Sequence, residues 1–179
     1  MPLPVHLPLY RAAVENVRTV EHGIRTFRQD LNRRLCRNST GELQLCTKMY
    51  VVLFCMWAES LLLRTVYIPY GFSEAEINHV LTGSSIEDKW RICLELAFRN
   101  SEQREQKSLK QILGPKLSRL ITTYVLTPAV IRNKIAHGQW SKAFTRANDS
   151  LHVETTVLLD LVDVVEVDRW FFFSRNWLR

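Results

Sequence analysis

The sequence predicts an all-α protein, a compact helical bundle of about five to seven helices forming one domain over 1–179. Three observations lead there. Apolar residues recur in steps of three and four along most of the chain, the period of a helix with one buried face. Glycine and proline number six each, too few for a turn-rich sandwich or barrel. Polar caps, prolines and glycines stand where helices would start and stop. At 179 residues and 46% hydrophobic content, the chain can bury a sizeable core.

Residues 1–8, with Pro2, Pro4 and Pro8, read as extended. A long helix follows from Leu9 to Cys36, its stripe made by Val14, Val17, Val20, Ile24, Phe27, Leu31 and Leu35. Asn38-Ser39-Thr40-Gly41 punctuates it. A second helix runs from Glu42 to Tyr67, ends before Pro69, and is apolar on most sides, which makes it the central one. Ser73 and Glu76 have capping-box spacing and start a short helix to Leu81. Ser85 and Asp88 open a further helix to Arg99 with Trp90, Leu94 and Ala97 on its apolar face. Residues 101–114 are polar and basic and read as a helix joined to a mobile loop, with Pro115 restarting a helix through Tyr124. Thr127 can cap a helix over Pro128–His137, with Pro128 at its first position and Gly138 in the left-handed position just past its end. Residues 139–152 are a loop or short extended piece. A final helix from Thr155 to Trp170 or beyond is expected because Asp160, Asp163, Glu166 and Arg169 recur every three residues, which does not fit strand alternation. There is no internal repeat.

The formal charge is +6 and the pI about 9.4, unevenly distributed. Glu154, Asp160, Asp163, Glu166 and Asp168 crowd Val153–Asp168 without a single Lys or Arg, so the other 13 acids face all 24 basic residues, a net of +11. A basic body suits a polyanion such as RNA, and it equally suits a solvated basic surface. Arg25, Arg28, Arg33, Arg34 and Arg37 spread around their helix rather than forming a stripe; they read as solvated, with contact to RNA as the alternative.

Cys36, Cys46, Cys55 and Cys93 lack CxxC spacing, which argues for free thiols in a reducing cytosol and against a zinc site. MPLPVHLPLY has neither a charged start nor a long apolar core, so it does not read as a signal peptide. Met49–Ile68 is the one membrane candidate; Glu59 and Arg64 interrupt it, and a buried core helix is the expectation.

The segment that can carry chemistry is Arg132-Asn133-Lys134-Ile135-Ala136-His137-Gly138. RNA supplies its own nucleophile, the 2′-hydroxyl. An enzyme must add a group to take that proton, a cation for the phosphorane charge and an acid for the leaving 5′-oxygen. Histidine moves protons near neutral pH, and arginine offers a permanently charged planar fork, so no metal or other cofactor is required. Asn133 and His137 are four apart and share a helix face, whereas Arg132 lies about 140° from His137 on an ideal helix. Either the arginine curls round, or a second copy of the helix completes the site across a two-fold axis. The same residues also have a purely structural explanation, His137-Gly138 ending a helix and Arg132 pairing with an acid. Arg followed a few residues later by His is weak by itself: Arg146 and His152 make the same pattern in a loop, with Ala147 where the Asn would be.

The full string resembles the R-x(4–6)-H motif of HEPN domains (higher eukaryote and prokaryote nucleotide-binding), in the variant with Asn after the Arg and Gly after the His. The likeness extends to two long early helices, the second carrying Trp57 and Glu59, to a helix with Asp88-Lys89-Trp90, and to the motif and final helices. The resemblance implies a helical bundle that dimerises and a metal-independent endoribonuclease of toxin–antitoxin, abortive-infection, CRISPR or other anti-phage defence systems. It makes Arg132 and His137 catalytic, Asn133 supportive, and a 2′,3′-cyclic phosphate the product end. It also implies control by an antitoxin, an adjacent nucleotidyltransferase or infection itself; the free thiols and the buried-helix reading of Met49–Ile68 lead to the expectation of a cytoplasmic location without a membrane. Glu59, a carboxylate on an apolar helix, is expected either to position Arg132 or to pair with Arg64. Lys134, Trp140 and Lys142 flank the motif and are the candidate RNA-binding residues by charge and stacking; Trp140 is otherwise a core or interface residue. The rival reading is a non-catalytic helical module that binds nucleotide, RNA or a partner protein.

Overall fold

A computed structural model describes residues 6–37, 40–102 and 107–177. The architecture is all-α: α1 (Leu7–Cys36), α2 (Thr40–Val66), α3 (Glu74–Leu81), α4 (Ile86–Glu102), α5 (Lys107–Ile121), a π-helical turn (Thr122–Leu126), α6 (Thr127–Ala136), α7 (Val153–Leu161) and α8 (Val164–Trp177). α5, the π turn and α6 follow one another without a gap in sequence, and α7 and α8 are parted by Val162 and Asp163. The readings of residues 1–5 as extended, of Asn38-Ser39 as punctuation and of 103–106 as a mobile loop lie outside the described residues. Pro8, expected in the extended segment, sits in the first turn of α1, where its missing N–H costs nothing.

The chain divides into two units interleaved in sequence. The first comprises Met1–Arg18 and Ala58–Leu126, the second Thr19–Trp57 and Thr127–Arg179. In the first unit the buried residues include Leu61, Leu62 and Val66 of α2, Val80 of α3, and Trp90, Cys93 and Leu96 of α4. Both helix starts read from sequence are present. Ser73 and Glu76 form a full capping box, Ser73 N donating to Glu76 Oε2 at 2.8 Å. Asp88 N donates to Ser85 Oγ at 3.0 Å. The Ser73 N–H and the Ser73 hydroxyl, with Arg99 and Asn100, hold the Glu76 carboxyl down at about 2. Arg91 fastens α4 to the α5–π path through Ser118 Oγ at 2.7 Å and Thr122 Oγ1 at 3.0 Å. Burial pushes the Cys93 thiol up to about 12.

Pro115 does not restart a helix; it lies inside α5, whose backbone runs on to Ile121. Thr127 likewise begins no new helix, since the π turn leads straight into α6. The reason lies with Pro128. Its ring would collide with the carbonyl four residues back in a regular α-helix, and the wider π turn immediately upstream relieves that crowding without ending the helix.

The second unit contains an aromatic core. The ring of Phe171 lies 5.3 Å from Tyr50, 4.9 Å from Phe54 and 5.3 Å from Trp57. Ile24 and Leu31 of α1, Ile131 and Ile135 of α6, Leu159 of α7, and Val167 and Trp170 of α8 are buried as well. Tyr50 donates to Asp168 Oδ1 at 2.8 Å, and Arg28 pairs with Oδ2 of the same carboxylate at 2.8 Å. Burial, followed by this carboxylate partner, raises the Tyr50 phenol well above its ordinary range. The expected single final helix is broken. Val162 is extended (φ −63°, ψ 122°), and Asp163 Oδ1 accepts the Glu166 N–H at 2.7 Å, capping a fresh start.

By length and composition, Gly41–Val66 has the span and apolarity of a membrane helix, its most apolar 18-residue window having a mean hydropathy of 1.5. Half of that window is nevertheless buried inside the protein, including Tyr50, Val51, Phe54 and Trp57 in the second unit and Ala58, Leu61 and Leu62 in the first.

Candidate active site around the Arg132–His137 helix

Gly138 has φ +76°, the left-handed conformation that a side chain disfavours. Its N–H donates to Ile135 O at 3.0 Å, and the Gln139 N–H reaches back to Lys134 O at 2.9 Å. This pair of bonds is the Schellman arrangement, which closes α6 at Ala136 and leaves His137 as the half-helical residue at its end. The sequence-based end of the helix is thus correct to one residue. The geometry fixes which way the last side chains point. Ile131 and Ile135 face the core, Arg132 is half-buried, and Asn133 and His137 are exposed.

Asn133 and His137 are bonded through their backbones, His137 N to Asn133 O at 3.1 Å, while neither side chain is hydrogen-bonded to a described residue. The imidazole is therefore open to a substrate on the face it shares with the Asn133 amide. Arg132 is one position before Asn133, on the flank of the same helix, and is half-buried.

The segment after the helix is a small hairpin. Thr145 N bonds Ser150 O at 3.0 Å, His152 N bonds Ala143 O at 2.7 Å, and Phe144 bridges Leu151. It is pinned at several points. Ala143 N donates to Thr156 Oγ1 at 3.0 Å, Phe144 N to Gln139 Oε1 at 2.8 Å, and the Lys134 ammonium to the Phe144 carbonyl. Lys134, expected to meet RNA, thus has one of its three donors committed to the hairpin. Trp140 is half-buried and its carbonyl accepts from Lys48, a lysine with only 7% of its surface exposed. Lys142 is exposed and pairs loosely with Asp160 at 3.5 Å. Such an exposed pair contributes little to stability and is readily exchanged for another anion.

Glu59 is half-buried on α2 and belongs to the first unit, whereas the motif belongs to the second. The second Arg–His string has a clear structural use. His152 is the N-cap of α7, its Nδ1 accepting the Thr155 N–H at 3.3 Å and meeting Thr155 Oγ1 at 2.9 Å. Arg146 stands exposed in the hairpin turn. Among the described residues, no three His, Cys, Asp or Glu side chains are grouped closely enough to hold a metal ion.

No family model, curated protein or solved structure matches this chain.

Proposed function

We propose that this chain is a metal-independent endoribonuclease of the HEPN type. The observation that carries the reading is the exposed, unengaged imidazole of His137 beside Asn133, at a helix end locked by Gly138. In the reaction His137 accepts the proton of an RNA 2′-hydroxyl as that oxygen attacks the adjacent phosphorus. Arg132 stabilises the charge that builds on the phosphoryl oxygens. The 5′-oxygen leaves with a proton returned by an imidazolium. The products end in a 2′,3′-cyclic phosphate and a 5′-hydroxyl, and single-stranded or looped RNA is the fitting substrate because its 2′-oxygen can align with the leaving group.

One imidazole cannot be base and acid at the same moment, so a second copy supplies the other, in a homodimer with a composite site. Exposed apolar residues on α7 and α8 support such an interface. Leu161 is 72% and Val165 58% exposed, and both line a groove of about 420 Å³ that also includes Ile131, the neighbour of Arg132. A toxin or anti-phage effector role, held in check by an antitoxin or defence partner, completes the proposal. The second reading is a binding module without cleavage, favoured by the commitment of Lys134 and the Trp140 carbonyl to holding the hairpin.

The test is RNA cleavage by purified protein in the presence of EDTA, comparing wild type with His137→Ala and Arg132→Ala. Cleavage that survives the chelator, leaves cyclic phosphate and disappears in both variants is the expected result. Folded wild type that leaves a broad RNA panel intact would sink the nuclease reading in favour of the binding module.

A further inference from the structure

A second concave site lies in the second unit, and no motif residue lines it. It is a cavity of about 720 Å³ walled by α1, α2 and α8. That volume is within the roughly 300–1,000 Å³ range of small-ligand pockets. Ile24, Tyr50 and Trp57 form its buried floor, and the ring of Phe171 packs 5.3 Å from each of the two aromatic ones. Val165, an exposed side chain of α8, adds an apolar side wall. Tyr50 gives its hydroxyl proton to Asp168, and Trp57 gives its indole N–H to Glu21 at 3.3 Å. Both polar hydrogens of the floor side chains are thus spent inside the protein, and a ligand that reaches them meets carbon surface.

The rim is charged, and its charges can be counted. Arg25 and Arg28 come from α1, Arg169 and Arg175 from α8. The carboxylates of Glu21 and Asp168 line the same cavity. Accepting the indole N–H does not discharge Glu21. Glu166, outside the lining, pairs with Arg169 at 3.4 Å. Four guanidinium groups against three carboxylates leave a surplus of one positive charge. That surplus is not evenly spread. Arg28 pairs with Asp168 at 2.8 Å, whereas Arg25 and Arg175 pair with no carboxylate among the described residues. A ligand with a single negative charge balances the count. A phosphate monoester with two would leave the cavity negative, and a cation would add to the repulsion. Arginine presents a planar fork that matches a carboxylate through two parallel bonds.

We propose that this cavity binds an apolar monocarboxylate, its head held at the rim by Arg25 and Arg175 and its hydrocarbon body lying against Phe171 and Val165. An aryl acid and a medium-chain fatty acid share this chemistry. The site does not rest on the nuclease reading and would stand without it.

The experiment is isothermal titration calorimetry on the full-length protein with naphthoate and decanoate. Naphthalenemethanol supplies the body without the charge, acetate the charge without the body, and AMP a second negative charge. Binding of naphthoate identifies an aryl acid, and binding of decanoate an alkyl one. In the doubly substituted Arg25→Gln/Arg175→Gln protein the carboxylate should bind about tenfold more weakly or worse, the loss of at least one charge-assisted hydrogen bond. Both arginines are exposed, and circular dichroism reports whether the helices persist. Glu21→Gln keeps an acceptor for the Trp57 indole and removes one negative charge, so the carboxylate should bind severalfold more tightly, a gain that misfolding cannot produce. No heat from either carboxylate at millimolar concentration would overturn the proposal. So would naphthalenemethanol, acetate or AMP binding as tightly as the carboxylates, or affinities unmoved by the arginine pair or by Glu21→Gln.

Discussion

Two histidines in this chain follow an arginine at nearly the same distance, and the structure gives them opposite surroundings. His152 turns its Nδ1 onto the backbone of Thr155 and serves as the cap of α7. His137 stands at the other kind of helix end, where the cap is made by the backbone of Gly138 and Gln139 and the imidazole bonds to no described residue. Spacing alone did not distinguish them. The difference lies in what closes the helix: an end stabilised by glycine leaves its last side chain available, and an end stabilised by a side chain does not.

This contrast can be broken by substitution. The largest expected effect is on His137→Ala, which should lower the cleavage rate by about 100-fold or more if the imidazole moves the proton. His152→Ala, assayed per folded molecule, should leave the rate unchanged; equal losses in the two variants would erase the distinction.

Two further measurements compare a side-chain cap with a backbone cap as sources of stability. Glu76→Gln removes a charged cap and should cost about 1–2 kcal/mol at neutral pH, read by urea unfolding. The Glu76 carboxyl lies at about 2 in the folded chain against an ordinary 4.5, so its contribution is complete above 4.5 and is lost as the pH falls toward 2. Wild type and variant should therefore converge in acid; a difference that stays constant across that range would mean the charge is not the source. At Gly138 a Cβ meets nothing within 4 Å, so Gly138→Ala suffers only from φ +76° and should cost about 1 kcal/mol in thermal unfolding, with Gly138→Asn recovering part of it. The smallest effect is expected at His152→Ala, about 0.5–1 kcal/mol, the range of a lost N-cap.

The helix ends that were legible in the sequence are those set by local chemistry. Ser73 with Glu76, Ser85 with Asp88, and Gly138 each satisfy backbone groups within a few residues, and each was found where the pattern placed it. The misplaced ends share a different cause. Pro115 and Pro128 look like starts, yet both sit within continuous helix, because a proline forfeits one bond and packing along the rest of the helix can outweigh that loss. The break before Asp163 did have a local signal, Asp163 with Glu166 three residues on, hidden by the valines on both sides that keep the helical period going. Within the motif, the backbone of α6 was readable, but the Lys134–Phe144 tie was not, since it depends on a hairpin folding back. The basic cavity was invisible for the same reason. Arg25 and Arg28 read as part of a scattered basic helix, and only the approach of α8 gives them Phe172 and Arg175 as neighbours.

The interleaving of the two units bears on how the protein is made. Residues 19–57 leave the ribosome before 58–126, but the unit they belong to stays open until 127–179 arrive, after the whole of 58–126 has been synthesised. Closing so long a loop carries an entropic cost that only the helices after residue 126 can offset. A ribosome that stalls before α8 is translated releases a chain that already contains the Arg132–His137 string but not Trp170 or Phe171, the side chains that complete the aromatic core around Phe54. Assembly of the motif's unit thus waits for α8, a delay written into the order of the helices.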